Sequence, residues 1–325
     1  LSEQFHPILW DLNMSFGGFR LTDATQSYFN GFDIPQAQNM DPLNFINNSF
    51  LSPRPLITKL LSDPRYQKMY LAHMRTIIEE HFSNQNYVTR AQDLQNLISS
   101  DVQNDLNKFY SYNDFLDNIN NQVTIPSSIC PGITQLMNAR ETYLSNYWSN
   151  FTQPNISNIQ TQPNSNQFFG DDLTITAQLQ DANYAMLAYR YGENMPFIKI
   201  QMYDDGNHND GMANDGIYGT VINNCSNSID YYLYAESNDE GVFSPKRAAY
   251  EFYNIKITVP QSSLVINEVM ANNQTTVMDE TGDYDDWIEL YNKTNTPIST
   301  NGLLLSDNPL NLDKWDLPNA VINPN

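Results

Sequence analysis

The sequence is short of basic residues: 16 Lys and Arg stand against 37 Asp and Glu, a formal charge of −21 over 325 residues. A chain so acidic repels phosphate backbones, which excludes nucleic acid as an expected partner. Cysteine is scarcer still. The two thiols, Cys130 and Cys225, fall in segments that read as different units, so no disulfide framework can be drawn and both read as free. No apolar run approaches the roughly 18 residues of a membrane span. His-Glu-x-x-His, Gly-x-Ser-x-Gly and Cys-x-x-Cys are all missing, which removes the common signatures of zinc hydrolases, serine hydrolases and thiol redox proteins.

What is present suffices for real cores, since 40% of residues are hydrophobic. The chain opens on Leu1 without a leader-peptide pattern, inside what reads as a structured segment, and so reads as part of a longer protein. Its length predicts two or three domains, and the pattern divides it into three regions. Residues 1–150 read as an all-α bundle. PRPLITKLLSDPRYQKMYLAHMRTIIEEHF spaces Leu56, Leu60, Leu61, Met69, Tyr70, Met74, Ile77 and Ile78 as an amphipathic helix would, with a break at Ser62-Asp63-Pro64. Ser83 and Asn84 read as the next helix start, and Pro131-Gly132 precedes a further helix with Leu136 and Leu144 inward. The core is expected to include Leu60, Tyr70, Ile77 and Leu136.

Near residue 151 the pattern changes. TQPNISNIQTQPNSNQFFGDD has the composition of a linker. After it LTITAQL, MLAYRYG, FIKIQMY, YYLYAES and AYEFYNIKI alternate as strands of an antiparallel, immunoglobulin- or fibronectin-like sandwich over residues 151–260. A second switch at Val259-Pro260 opens another β region, residues 261–325, with LVINEVM, DWIELYN and ISTNGLLLS. The fold class is thus multidomain α+β.

Two stretches carry candidate chemistry. In ILWDLNMSFGG, Asp11 and Asn13 lie two apart, so an extended backbone would aim both oxygens at one spot. Such a pair suits Mg²⁺, which takes one or two protein ligands beside phosphate oxygens; capping a turn before Gly17 and Gly18 is the alternative. In YDDGNHNDGMANDGIYGT, residues 203–220, Asp204, Asp205, Asn207, Asn209, Asp210 and Asp215 crowd together between glycines. Calcium needs six to eight oxygens, and short acidic Gly-rich loops supply them. The expected ligands are Asp205, Asn207, Asp210 and Asp215, in a loop similar to those of extracellular β-sandwich modules; a solvated acidic hairpin is the alternative.

The four histidines, His6, His73, His81 and His208, show no metal spacing, and His208 is expected to point outward. Arg20 could reach a phosphate or sit in a solvated loop. Arg140 is expected to pair with an acidic side chain. Tyr231, Tyr232 and Tyr234 could stack on a sugar, but an alternating strand explains them equally.

Taken in order, LWDLNMSFG, then RPLITKLLSDPRYQKMYLAHMRTIIEEHFS, then PGITQLMNARETYL resemble the spore-coat-H (CotH) atypical protein kinases over residues 1–150. The resemblance implies the helical large lobe of a kinase using ATP and Mg²⁺ to phosphorylate protein Ser or Thr. It makes Asp11 the catalytic, cofactor-holding Mg²⁺ ligand and Asn13 a second metal-facing residue, where family members often carry aspartate. The phosphate-covering loop, ATP-pairing lysine and catalytic-base aspartate belong upstream in such kinases, so this chain alone is expected to be inactive. LVINEVMANNQTTVMDETGDYDDWIELYN resembles the start of a lamin-tail domain, truncated at Asn325, with Trp287 and Ile288 inward. The whole reads as a secreted or cell-surface bacterial protein, monomeric, acting on a protein substrate or surface partner. A non-catalytic surface or adhesion protein built on the same scaffold is the alternative.

Overall fold

The break at Ser62-Asp63-Pro64 is a helix start: Asp63 accepts a hydrogen bond from the Arg65 N–H at 2.8 Å, and Pro64 fills the first turn. The computed structural model describes residues 16, 34–43, 55–125, 128–163, 167–168, 170–192, 195–225, 228–258, 263–295, 297–308 and 311–324. Its helices are α1 (Ile34–Gln38), α2 (Pro55–Leu60), α3 (Pro64–Ile77), α4 (Asn86–Asn104), α5 (Tyr112–Asp117) and α6 (Ile133–Tyr147). Helix α3 runs on into a π-helical turn, Ile78–Phe82, which the Ser83 N–H closes onto the Ile78 carbonyl at 2.9 Å. Asn84 assists the start of α4 by accepting from the Asn86 N–H at 3.0 Å. A Ser111–Asp114 capping box opens α5.

Two expectations for this region need correction. It is not all-α, because β1 (Val123–Ile125) and β2 (Ser128–Cys130) form an antiparallel hairpin; the β-branched run before Pro126 favours extended backbone. Nor is the core where one stripe would put it. Leu71, Ile78, Leu144 and Trp148 are buried together, with Tyr70, Met74 and Tyr147 half-buried around them. Leu136 is buried as expected, but Leu60 and Ile77 are 48% and 50% exposed. For Ile77 the physical reason is that α3 has two partners. Leu71 and Met74 turn to α6, while Met69 packs on a β-sheet.

That sheet belongs to the sandwich. One sheet orders β3 (Asn155–Gln162), β5 (Leu173–Gln180) and β8 (Ile217–Ile222). The other runs β10 (Gly241–Ser244), β9 (Ile229–Glu236), β6 (Tyr184–Arg190), β7 (Ile198–Met202), with β11 (Tyr253–Ile255) pairing the first half of β9. All these pairs are antiparallel, and Leu187 lies opposite Leu233 at the centre. Leu173, Ile175, Leu179, Leu187, Met202, Ile229 and Leu233 fill the space between the sheets. The stretch NISNIQTQ, expected to be linker, is β3. It pairs with β5 through a register shift between Ser157 and Gln160, and its Ile156 and Ile159 face the core. An edge strand exposes its Asn and Gln side to water, which makes its composition look like a loop. Two short strands, β4 (Gln167–Phe168) and β12 (Ile257–Thr258), pair in parallel.

Residues 263–324 are β-structure of a slighter kind. β13 (Leu264–Met270) pairs with β14 (Trp287–Asn292), β15 (Ile298–Ser299) with β18 (Val321–Ile322), and β16 (Leu304–Leu305) with β17 (Trp315–Asp316). Trp287 is half-buried, whereas Ile288, expected inside, is 41% exposed. Ile298 is the one buried hydrophobic among the described residues of this region. No helix of the described residues is long and apolar enough to cross a membrane.

Candidate functional site

Asp11 and Asn13, with His6 and Arg20, lie outside the described residues. The second candidate, the acidic loop, is described in full. It joins β7 of one sheet to β8 of the other, and its path depends on Gly206, Gly211 and Gly216 at φ +74°, +97° and +85°. At Gly211 any Cβ would run into the Asp215 carboxylate at 2.6 Å.

The loop carboxylates turn to backbone amides. Asp210, 1% exposed, accepts from the N–H groups of Asp205 (2.7 Å), Gly206 (3.0 Å) and His208 (2.9 Å). Burial alone would raise its pKa; the N–H groups of Gly206, His208 and Asp205 outweigh that and hold it below the usual carboxylate range. Asp204 accepts from the Asp215 and Gly216 N–H groups at 3.1 and 3.0 Å, tying the two ends of the loop together. Asp215 accepts from the Met212 and Ile217 N–H groups. Asp205 accepts from the Asn207 N–H and bonds the His208 ring, both at 2.9 Å. His208, expected to point away, instead stacks on Tyr203 with centroids 4.6 Å apart. Asn209 pins the loop to β5 through the Thr174 hydroxyl at 3.0 Å. So Asp205, Asn207, Asp210 and Asp215 share one loop. Yet among the described residues no three His, Cys, Asp or Glu side chains form a group able to hold a metal ion.

The sequence reading missed Asp204 as the closing residue, and it missed a densely charged contact, the seam between α3 and the hairpin of β9 and β10. Arg65 lies 3.2–3.3 Å from both carboxylate oxygens of Glu236, and its guanidinium sits 3.5 Å from the Tyr184 ring centroid. The Tyr234 hydroxyl donates to the same carboxylate at 2.9 Å, and Lys68 donates to the Ser237 carbonyl at 2.7 Å. Arg75 pairs with Glu240 and with Glu79. Charges of the opposite arrangement follow, Lys246 to Glu79 at 3.0 Å and Arg247 to Glu80 at 2.7 Å. The signal that could have found the seam is IDYYLYAE. Every residue of β9 is buried, and a strand covered on both faces reads as a continuous run. Tyr231, Tyr232 and Tyr234 are therefore core residues, with no face open to a sugar.

Arg140 finds carbonyls instead of a carboxylate. It donates to Gln38 at 3.4 Å and to Met40, and lies over the Tyr143 ring. It thereby ties α6 to the α1 segment.

Residues 1–147 match the family model described as CotH kinase protein, so this part of the chain is similar to that family. No curated protein matches the chain. Among solved structures, a chimeric titin Z1Z2 functionalized with a KLER exogenous peptide from decorin aligns at 11% identity and a TM-score of 0.23. That alignment covers 45% of this chain and 67% of the other. The endo-beta-1,4-mannanase from Thermotoga petrophila aligns at 10% identity and a TM-score of 0.21, covering 42% of this chain and 28% of its own. Likenesses at this level inform neither fold nor function.

Proposed function

We propose that residues 1–147 are the helical large-lobe part of a CotH-type atypical protein kinase, which when complete transfers phosphate from ATP to Ser or Thr of a protein. The observation that carries this reading is the family match over 1–147. On this reading Asp11 holds Mg²⁺ and Asn13 supplies a second oxygen beside it. The ion would neutralise charge on the phosphates, the main task in a reaction that needs positioning more than covalent chemistry. The protein acts outside the cytoplasm, secreted or at the cell surface, with a sandwich at 151–260 and a lamin-tail-type unit beginning at 261.

The test is phosphate transfer by the full-length protein with ATP and Mg²⁺ or Mn²⁺. Asp11→Ala should lower kcat by about 10²–10³, the scale of losing one electrostatic group aimed at developing charge. Undiminished transfer by that variant would remove Asp11 from the site. A full-length wild type without transfer under either metal would favour the surface or adhesion reading.

We propose Ca²⁺ as a ligand of the loop on its sequence pattern. Binding would require Asp205, Asp210 and Asp215, with Asn207, to exchange some backbone partners for a shared ion. Identical melting curves in chelator and in millimolar Ca²⁺ would leave the loop as a self-satisfied hairpin; a rise in Tm with Ca²⁺ but little with Mg²⁺ would support the ion.

A further inference from the structure

Accessory modules are usually pictured as beads on a string, each with its own core. Two observations speak against that picture between the helices and the sandwich. First, the central strands of the five-stranded sheet, β6 and β9, are buried on both faces. The sheet's inner face meets the three-stranded sheet through Leu187 and Leu233. Its outer face, carrying Met186, Ala188, Tyr232, Tyr234 and the half-buried Phe243, packs on Met69 of α3 and on Ala248. His73 stacks on Phe243 with ring centroids 4.4 Å apart and planes 15° apart. Stripped of α3, the sandwich would present an apolar, aromatic face to water; stripped of the sheet, α3 would present Met69 and His73. Exposed contiguous patches of that kind are rare on independent domains.

Second, the polar groups at the seam are committed across it. Glu236 and Glu240 are 7% and 3% exposed. The cations that meet them, Arg65, Lys68 and Arg75, all come from the helical side, while the sandwich itself adds the Tyr234 hydroxyl on Glu236. Buried carboxylates left without their partners would carry the full cost of desolvation. Both sides of the contact are therefore incomplete alone, in apolar surface and in charge.

We propose that the β-sandwich is the fixed structural partner of α3, and that residues 55–258 open and unfold as one cooperative unit. The sandwich then has a role of its own, to hold α3 and the helical core behind it in one arrangement. This holds whether or not the chain serves phosphoryl transfer. Arg75 is the residue where both cores meet: it pairs with Glu240 across the seam and lies over the Trp148 ring of the helical core at 5.7 Å.

The test uses the full chain and hydrogen exchange. Ile175 is fully buried on the three-stranded sheet, behind the sheet that α3 touches. Ile175→Val should speed the slowest amides of β5 and β9 by roughly 2- to 12-fold. If the unit is cooperative, the slowest amides of α6 around Leu144 speed up by the same factor. Acceleration confined to the sandwich would overturn the proposal. A seam variant, Arg75→Gln, supplies a second reading in the Ile175→Val background. With the seam weakened, the response at Leu144 should fall below that at β9; equal responses in α6 and β9 would show that Arg75 does not carry the coupling.

Discussion

Asp210→Asn changes almost no volume and should still be among the costliest surface-loop substitutions in the chain. The carboxylate has two oxygens and no donor, and both are engaged: Oδ2 by the N–H groups of Asp205 and Gly206, Oδ1 by that of His208. An asparagine has one carbonyl oxygen and one NH₂. Its better rotamer puts the oxygen where Oδ2 was, keeping two acceptances, and points the NH₂ at the His208 N–H. Donor then faces donor at a residue only 1% exposed. The two surviving bonds lose charge assistance, from about 1.5–3 kcal/mol each toward about 1 kcal/mol, and the orphaned N–H adds about 1–3 kcal/mol. Because such terms do not add fully, we expect a net loss of about 3–5 kcal/mol. For a cooperative unit of this size that corresponds to a Tm lower by roughly 6–20 °C.

The assay is thermal and chemical denaturation of the full chain, followed as a function of pH. The native pKa of Asp210 is depressed, so between the ordinary carboxylate value and that lower one the unfolded state holds a proton that the native state does not. Stability from this group is present above the ordinary value and is lost as pH falls through the native one. The carboxamide of the variant cannot titrate, so Asp210→Asn should show a shallower acid slope as well as a lower plateau. A variant melting within about 1 °C of wild type, with an unchanged acid slope, would refute the claim that backbone amides hold this loop.

Three further outcomes follow from the same kind of geometry. At Gly132 a Cβ would lie 2.5–2.6 Å from the backbone of Asn120 and Asn121, so Gly132→Ala should cost about 1–3 kcal/mol or more, measured by urea denaturation. Tyr234→Phe removes a fully buried hydroxyl that donates to Glu236, and should cost about 1.5–3 kcal/mol in the same measurement. Burial pushes the pKa of His73 below its ordinary value. The unfolded state therefore gains a proton first on acidification, and stability should fall as pH drops from about 6.5 toward the native pKa. His73→Phe should flatten that slope, and an unchanged slope would show that His73 is not its source.

Much of the sandwich was legible because its strands alternate: LTITAQL lies within β5, MLAYR within β6 and FIKIQM spans β7. What alternation hides is a strand with no solvent face, and β9 is such a strand. Its Tyr231 packs between the sheets while Tyr232 and Tyr234 pack toward α3. The opposite error befell NISNIQTQ, where Asn and Gln on the open side of an edge strand outnumber the two inward isoleucines. In the helices, spacing located α3 but not its orientation, since the face that meets the sheet is built from Arg65, Lys68 and His73 as well as Met69. Such residues read as solvated until a partner carrying Glu236 and Phe243 is placed against them. In the acidic loop, the glycines announced the turns, but which carboxylate closes the loop depends on where the backbone amides point, and only the folded path brings Asp204 to the N–H groups of Asp215 and Gly216.

The match to CotH kinase proteins ends at residue 147, and the physical boundary does not. Trp148, the next residue, is 4% exposed and completes the core formed by Leu71, Ile78 and Leu144. Four residues beyond it, Thr152 donates its N–H to Asp239 at 3.1 Å and accepts from the Ser237 hydroxyl at 2.5 Å, so it is already held by the β9–β10 hairpin. Strand β3 begins at Asn155. That leaves no length of free chain between helical core and sheet, and a linker of two or three residues bonded at both ends cannot let two bodies swing. A protein trimmed at 147 would lose Trp148 from its core and expose Met69 and His73 of α3, which the five-stranded sheet otherwise covers. For a lobe whose proposed work is to position a metal and a phosphate, the sandwich is then part of the frame that holds the lobe's helices in place.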